Sequence, residues 1–458
     1  MLAAVEQHSQ PAWSPTSWQG LPNAQEIAYP DGAALARAVG ELRSLPPLVT
    51  SWEIERLRGF LAQAEQGKRF VLQGGDCAES LGECNSATIA NKLKILLQMS
   101  MVLVHGLKMP ILRVGRFAGQ YAKPRSSATE TRGGVSLPSY FGDLINRPAF
   151  DAVSRTPDPA LLVQAYQHSA LTLNFVRALV EGGFADLHHP EYWDLSFMRH
   201  AGLAPALRSE YERMKDSLAD GLRFMEALGE KTVDDLTRVE FFTSHEGLNL
   251  WYESAQTRPV PRRDGVYNLS AHLPWLGERT RGLGGAHVEY FRGIHNPVGV
   301  KLGPSATADE VLALARMLNP GNEAGKLVFV ARMGAARVAN ALPALLQATR
   351  AGGVRCLWVC DPMHGNTRTT SSGVKTRSFD DILHELTTSH AVHRQEGVVL
   401  GGVHFELTGE DVTECTGGSM GTSEQDLATN YASACDPRLN YQQSLEMAFL
   451  IARTFGKR

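Results

Sequence analysis

The stretch Trp358-Val-Cys-Asp-Pro-Met-His-Gly-Asn366 ends an apolar run, 356–360, at Asp361-Pro362 and then presents His364 beside glycine. Proline lacks the N–H that a strand ladder needs, so the residues after it stand on a loop just past a strand. Three more residues with lone pairs occupy similar places. Cys77 follows Gly74-Gly75 after the run 70–73, Glu406 lies in the run 402–407, and Asp436 sits in Cys435-Asp-Pro-Arg438. Sulfur, imidazole nitrogen and carboxylate oxygen form a mixed donor set that suits a divalent transition metal. Each residue has a rival or a plainer role. A lone cysteine is more often a small buried apolar residue. Cys435 competes with Cys77 as thiol, and Glu410 competes with Glu406. The glycines before Cys77 are expected to turn the chain tightly and expose its thiol above a sheet.

A second group is cationic. Arg116 closes the run 111–116, and Lys123-Pro-Arg-Ser126 follows it. Arg279 comes after Trp275-Leu-Gly-Glu278, Lys301 lies inside Val298-Gly-Val-Lys-Leu-Gly303, and Arg332 ends the run 327–331. Surface lysines and arginines are usually solvated, but a charge inside an apolar strand is costly without a partner. The chain's net charge is only -3, so this concentration of cations is local and implies a strongly anionic ligand. Arginine's planar fork takes phosphate or carboxylate with two bonds, and lysine adds a compact charge. More than one phosphate or carboxylate is needed to match so many. His245 and His272 read as structural at least as well as catalytic. Gly417-Gly-Ser-Met-Gly-Thr-Ser423 lacks the Walker lysine pattern and reads as a flexible loop.

Eight apolar runs supply a frame for these residues, at 70–73, 111–116, 239–243, 267–271, 298–302, 327–331, 356–360 and 402–407. Helical periodicity fills most intervals, for example 308–318, 336–350, 379–395 and 441–452. Strand–helix alternation with apolar strands predicts a parallel sheet, and eight repeats predict a closed (β/α)8 barrel, which places its chemistry at the C-terminal strand ends. An open doubly wound sheet is the rival, but no GxGxxG follows the first strand. The interval after the second strand is too long for one helix. It predicts an insertion over about 127–235, with a polar loop at 126–137 and helices near 159–180 and 206–228 divided by His188-His189-Pro190. Residues 1–65 read as an N-terminal extension with short helices at 33–42 and 52–64, and 66–458 as the barrel.

The 458 residues are 43% hydrophobic and 20% charged, the composition of an ordinary soluble enzyme. That balance gives no reason to expect nucleic acid or a membrane as partner. Six cysteines without a CxxC pair fit neither a disulfide scaffold nor a structural zinc motif, and predict a reducing, cytoplasmic setting. The start lacks the basic and apolar segments of a signal peptide. The longest apolar tract, 95–114, is broken by Gln98, His105, Lys108 and Pro110 and reads as a buried helix followed by a strand.

Longer motifs carry a family resemblance. Gln73-Gly-Gly-Asp-Cys-Ala-Glu79, Ala118-Gly-Gln-Tyr-Ala-Lys-Pro-Arg-Ser126 and Trp275-Leu-Gly-Glu-Arg279 closely resemble the type II, plant-like 3-deoxy-D-arabino-heptulosonate 7-phosphate (DAHP) synthases. So do Asn296-Pro-Val-Gly-Val-Lys-Leu-Gly-Pro304, Cys360-Asp-Pro-Met-His-Gly-Asn-Thr367, Gly409-Glu-Asp-Val-Thr-Glu-Cys415 and Cys435-Asp-Pro-Arg-Leu-Asn440. The resemblance implies a metal-dependent (β/α)8 enzyme that condenses phosphoenolpyruvate with erythrose 4-phosphate, the first committed step of the shikimate pathway. It implies Mn²⁺ or Co²⁺, with Zn²⁺ or another divalent ion as substitutes, on Cys77, His364, Glu406 and Asp436. It maps phosphoenolpyruvate onto Arg116, Lys123, Glu278, Arg279, Lys301 and Arg332, and erythrose 4-phosphate onto Lys123, Pro124, Arg125 and Ser126. Lys123 and His364 are the expected proton carriers. A homodimer or homotetramer, aromatic amino acids bound at the extension or insertion, and a chorismate mutase partner are further expectations. Two alternatives stand beside it: a barrel joining phosphoenolpyruvate to a different phosphosugar, and a silent scaffold subunit, which the full set of site residues disfavours.

Overall fold

The computed structural model describes residues 12–182, 205–227 and 240–456. Eight parallel strands close into a barrel within it: β1 (Phe70–Gly75), β2 (Ile111–Arg116), β3 (Phe241–Glu246), β4 (Leu273–Leu276), β5 (Val298–Leu302), β6 (Leu327–Ala331), β7 (Leu357–Cys360) and β8 (Leu400–Glu406). Each strand pairs with its neighbours in sequence, and β8 returns to β1. This is the expected (β/α)8 barrel. Seven runs contribute strands close to their expected places, although Val239 lies outside the described residues.

The fourth run does not. Residues 267–271 were expected to form the strand, but Val266–Asn268 pairs antiparallel with Thr257–Pro259 in a small hairpin, and Leu273–Leu276 completes the barrel. The alternation Tyr-Asn-Leu-Ser-Ala satisfies the usual strand pattern, whereas Leu-Pro-Trp-Leu carries a proline that argues against a central strand. Tyr267 and Leu269 are buried all the same, in the core outside the barrel wall.

Side chains alternate across each strand, so β1 sends Val71 and Gln73 inward, β2 sends Leu112, Val114 and Arg116, and β8 sends His404 and Glu406. The lower interior is apolar and includes Val71, Leu112, Val114, Phe242, Leu273, Val328, Val330, Leu357 and Val359. Leu57, Leu61 and Ala64 belong to the same buried cluster. They come from helix α2 (Ser51–Glu65), which closes the N-terminal end of the barrel. A capping box starts that helix, with Thr50 accepting from Glu53 N–H and Glu53 accepting from Thr50 N–H. Before it comes α1 (Gly32–Ser44), and after β1 comes α3 (Ser86–Leu107). Helix α3 is long and apolar enough to cross a membrane, yet it is mostly buried against the barrel, as the broken apolar tract predicted.

The insertion contains an exposed hairpin, Thr129–Arg132 with Val135–Pro138, where a polar loop was expected, and helices α4 (Ala160–Glu181) and α5 (Pro205–Ala227). His188-His189-Pro190 lies outside the described residues. Helices α6 (Ala308–Leu318), α7 (Val338–Ala351), α8 (Phe379–Glu396) and α9 (Tyr441–Phe455) cover the later strands. Capping boxes on Thr307 and Asn440 start α6 and α9.

Candidate active site

Above the apolar floor the inward positions turn polar. Gln73 Nε2 donates to Ser244 Oγ across the barrel at 2.9 Å, and the Trp275 and His404 rings meet edge-on at 5.4 Å. Over them opens a cavity of about 190 Å³ at the C-terminal strand ends. Arg116, Lys123, Pro124, Glu278, Arg279, Lys301 and Arg332 line it, together with Cys77, His364 and Asp436. Arg125 does not line it. Ser126 stands at the rim, where its Oγ accepts from Arg279 at 2.9 Å. Glu278 lines the wall, but its carboxylate already accepts from Arg281 and from Gly303 N–H. Lys301 contacts the buried Asp361 carboxylate, the partner that makes a charge on β5 tolerable. Burial nonetheless lowers the Lys301 ammonium to about 8, against the opposing pull of Asp361.

The donor atoms of Cys77, Glu406 and Asp436 lie within 4.8 Å of one another. Register explains part of this. Gly75 at the end of β1 pairs with Arg116 on one side and Glu406 on the other. A Cβ at Gly75 would lie 2.8 Å from Arg116 O, and its φ of +144° suits glycine, so the chain can turn there and deliver Cys77. Cys77 is buried, not exposed as its glycines suggested. Tyr140, Cys435 and the loop carrying Asp436 cover it.

His364 reaches this cluster through Glu406. Its Nδ1 lies 2.7 Å from Asp361, whose ionised carboxylate only accepts, so Nδ1 carries the proton. Burial lowers the imidazole, with Asp361 and Glu406 opposing, and in the neutral ring Nε2 then presents a lone pair to Glu406 Oε1 at 2.9 Å. Two acceptors that close call for a cation beside them. The Lys123 ammonium partly answers, touching Cys77 Sγ and Asp436 and standing 3.7 Å from Glu406. Burial would raise Glu406 and Asp436, but the cations Lys123, Arg377 and Arg116 hold Glu406 well below the usual carboxylate range, and Lys123 with Arg377 does the same for Asp436. Burial pushes the Cys77 thiol well up, so releasing its proton calls for a cation that bonds sulfur. The donor set fits a divalent metal.

Long sequence matches accompany this geometry. The model of the class-II DAHP synthetase family matches residues 13–452. The chain belongs to that family. A phospho-2-dehydro-3-deoxyheptonate aldolase of Neurospora crassa is 48% identical, covering 96% of this chain and 94% of the relative. One from Streptomyces coelicolor is 46% identical over 96% of each chain, and the AroG form from Mycolicibacterium smegmatis is 46% identical over 92% of this chain and 90% of its own.

Several residues of this cavity carry no signal in the sequence. Glu246 ends β3 inside the cavity, and its Oε1 accepts no hydrogen bond. Burial raises its carboxyl, while Lys301, Lys123, Arg116 and Arg279 pull the other way. Gly277 makes room for it, since a Cβ there would lie 2.0 Å from that oxygen. Arg377 is wholly buried behind Glu406 and donates to its Oε2 at 2.6 Å, while Arg116 holds Oε1 at 3.0 Å. Lys375, Thr367 and Gln120 complete the lining. The weaker candidates resolve as structure. His245 Nε2 pairs with buried Glu253 at 2.7 Å, and His272 Nδ1 accepts from Thr243 N–H at 2.9 Å. Glu410 accepts from Asn91 outside the cavity. Gly417 and Thr422 pair across the glycine loop, and the Glu446 carboxylate accepts from Ser419 N–H, the reverse of an anion seat.

Proposed function

We propose that this chain joins phosphoenolpyruvate to erythrose 4-phosphate, with water, giving 3-deoxy-D-arabino-heptulosonate 7-phosphate and phosphate. The observation that carries the reading is one cavity lined by Arg116, Lys123, Arg279, Lys301 and Arg332 beside a cluster of metal-type donors. Two phosphates and a carboxylate match those cations. Cys77, His364, Glu406 and Asp436 would hold a divalent ion, Mn²⁺ or Co²⁺ before Zn²⁺, the mixed donors leaving the choice to availability. Such an ion, when bound, polarises the aldehyde oxygen as a Lewis acid.

The chain's own groups do the rest. Arg279 and Arg332 grip the phosphoenolpyruvate phosphate, while Arg116, Lys301 and Lys123 offset its carboxylate. Lys123 through Ser126 seats erythrose 4-phosphate at the rim. The enol C3 attacks the aldehyde carbon, forming the new C–C bond and leaving positive charge at C2. Lys123, held protonated by Asp436, Cys77 and Glu406 against the cost of burial, gives its Nζ proton to the aldehyde oxygen. Water adds to C2, and the Glu246 carboxylate accepts its proton. The C2–O bond to phosphate then breaks as the C2 hydroxyl returns a proton to Lys123 and becomes the ketone, and phosphate leaves with the proton that Glu246 held. The same reading extends to contacts between copies of the chain through the insertion, where Val135, Val153 and Leu171 are exposed.

A metal-supplemented assay of phosphate release with a panel of phosphosugars tests the proposal. Erythrose 4-phosphate should be the preferred acceptor, and Cys77→Ser and His364→Ala should lose nearly all turnover. Preference for another sugar, or full activity in a chelated enzyme or in either variant, would refute it.

A further inference from the structure

Arg125 sits between Pro124, which lines the cavity, and Ser126, which accepts from Arg279 at its rim. Its main chain is satisfied from outside the barrel. Gln25, on the N-terminal arm, accepts from Arg125 N–H through Oε1 at 2.8 Å and donates through Nε2 to Arg125 C=O at 3.2 Å. One amide thus completes both backbone groups of one residue, the service a neighbouring strand normally performs. The amide is itself oriented, since Nε2 also donates to Ala24 O at 3.0 Å.

The arm that carries Gln25 is firmly docked. Trp13 Nε1 donates to Glu289 O and Tyr290 O, and Trp18 Nε1 donates to Ser254 Oγ at 2.7 Å. Ala286 N–H donates to Pro22 O at 2.9 Å, and Asn249 donates to the Tyr29 hydroxyl at 2.8 Å. Gln25 therefore reaches the loop from a fixed base. The loop has few other holds. Lys123 N–H donates to Phe141 O at 2.8 Å, Pro124 has no N–H to give, and the next backbone anchors are Ser127 O and Ala128 O, both bonded to Ser139.

We propose that Gln25 is a positioning residue for Pro124 to Ser126, ordering this segment before the second substrate arrives. The inference rests on the seat proposed above for erythrose 4-phosphate. Preordering lowers the entropy that binding must overcome. Losing it weakens the ligand that uses the loop and spares the one held by Arg116, Lys301 and Arg332 on rigid strand ends.

The test compares Gln25→Ala and Gln25→Glu with wild type, as full-length metal-loaded enzyme. In Gln25→Ala the KM for erythrose 4-phosphate should rise about tenfold, the loss expected for two hydrogen bonds. KM for phosphoenolpyruvate and kcat should stay within about twofold, because Lys123, which serves both, keeps its own anchors on Phe141, Cys77 and Asp436. Gln25→Glu should be no better, since its carboxylate accepts from the N–H but repels the carbonyl. Hydrogen exchange of the peptide spanning 124–128 should quicken in both. An unchanged KM for erythrose 4-phosphate, an equal rise in both KM values, or unaltered exchange would overturn the role of Gln25. A wild-type enzyme inactive on erythrose 4-phosphate would instead sink the proposed function, and the exchange measurement would still report the tether.

Discussion

The Asp361 carboxylate stands 2.7 Å from His364 Nδ1 and touches the Lys301 ammonium, so one buried group fixes both an imidazole tautomer and a cation on β5. Burial would raise Asp361, but His364 and Lys301 hold it well below the usual carboxylate range. Asp361→Asn should loosen both. A partner of this kind typically changes metal affinity by about 10- to 100-fold, and turnover should fall at least as far. Metal titration of the variant measures the first effect and saturating-metal kinetics the second. Wild-type metal affinity in Asp361→Asn would show that Asp361 does not orient a ligand.

Glu246 has a buried carboxylate oxygen without a hydrogen-bond partner, and the charges of Lys301, Lys123, Arg116 and Arg279 oppose the effect of burial on it. Glu246→Gln keeps the shape and removes the proton acceptor. Loss of a general base costs about 10²- to 10⁴-fold in kcat. The change also removes a negative charge from an anion site, so KM for phosphoenolpyruvate should hold steady or fall. Steady-state kinetics separates the two. A kcat within tenfold of wild type, or a clearly raised KM, would remove Glu246 from the water-addition step.

Glu385 on α8 accepts from Met333 N–H at 2.7 Å, Gly334 N–H at 2.9 Å and Asn366 Nδ2 at 2.7 Å, joining the loops that carry Arg332 and His364. Burial raises its carboxyl to about 7. A folded value above the unfolded one means that the folded state binds more protons between roughly pH 4.5 and 7. Its contribution is full below that window and is lost as pH rises through 7, up to about 3 kcal/mol. Glu385→Gln should therefore compare worst with wild type at pH 5 and improve relative to it by pH 8. Thermal melts across that range decide it, and a pH-independent gap in Tm would show that Glu385 titrates normally.

Leu57, fully buried on α2 beneath the barrel, is far from the reacting groups. Leu57→Ala should destabilise by about 2–5 kcal/mol through the cavity it leaves, with KM values little altered. Denaturant unfolding beside kinetics reads both quantities. Stability within about 1 kcal/mol of wild type would mean that α2 is not integral to the barrel core.

The barrel was legible because its strands are apolar runs that end in glycine, proline or charge, and the cavity-lining cations stood at those ends. What escaped followed from register. The apolar run of the third strand stops at Thr243, which leaves His245 as the candidate beyond it. Extended to Glu246, the inward set Phe242, Ser244, Glu246 follows from period two, and His245 falls on the outer face. Arg377 and Glu385 lie on loop and helix, where neither spacing nor composition separates a buried charge from a solvated one. Gln25 is more than ninety residues from the loop it touches, and only the fold brings them together.

Helix α2 gives the barrel a stoppered base, and the stopper imposes traffic rules. Among the described residues, the cavity lies at the opposite, C-terminal end of the strands. Lys301 and Arg116 lie deep in it, whereas Ser126 is exposed at its edge. Were both seats filled as proposed, a guest at the bottom would enter first and would be held there while the upper seat is taken. The order of arrivals and departures would then follow from the shape of the vessel.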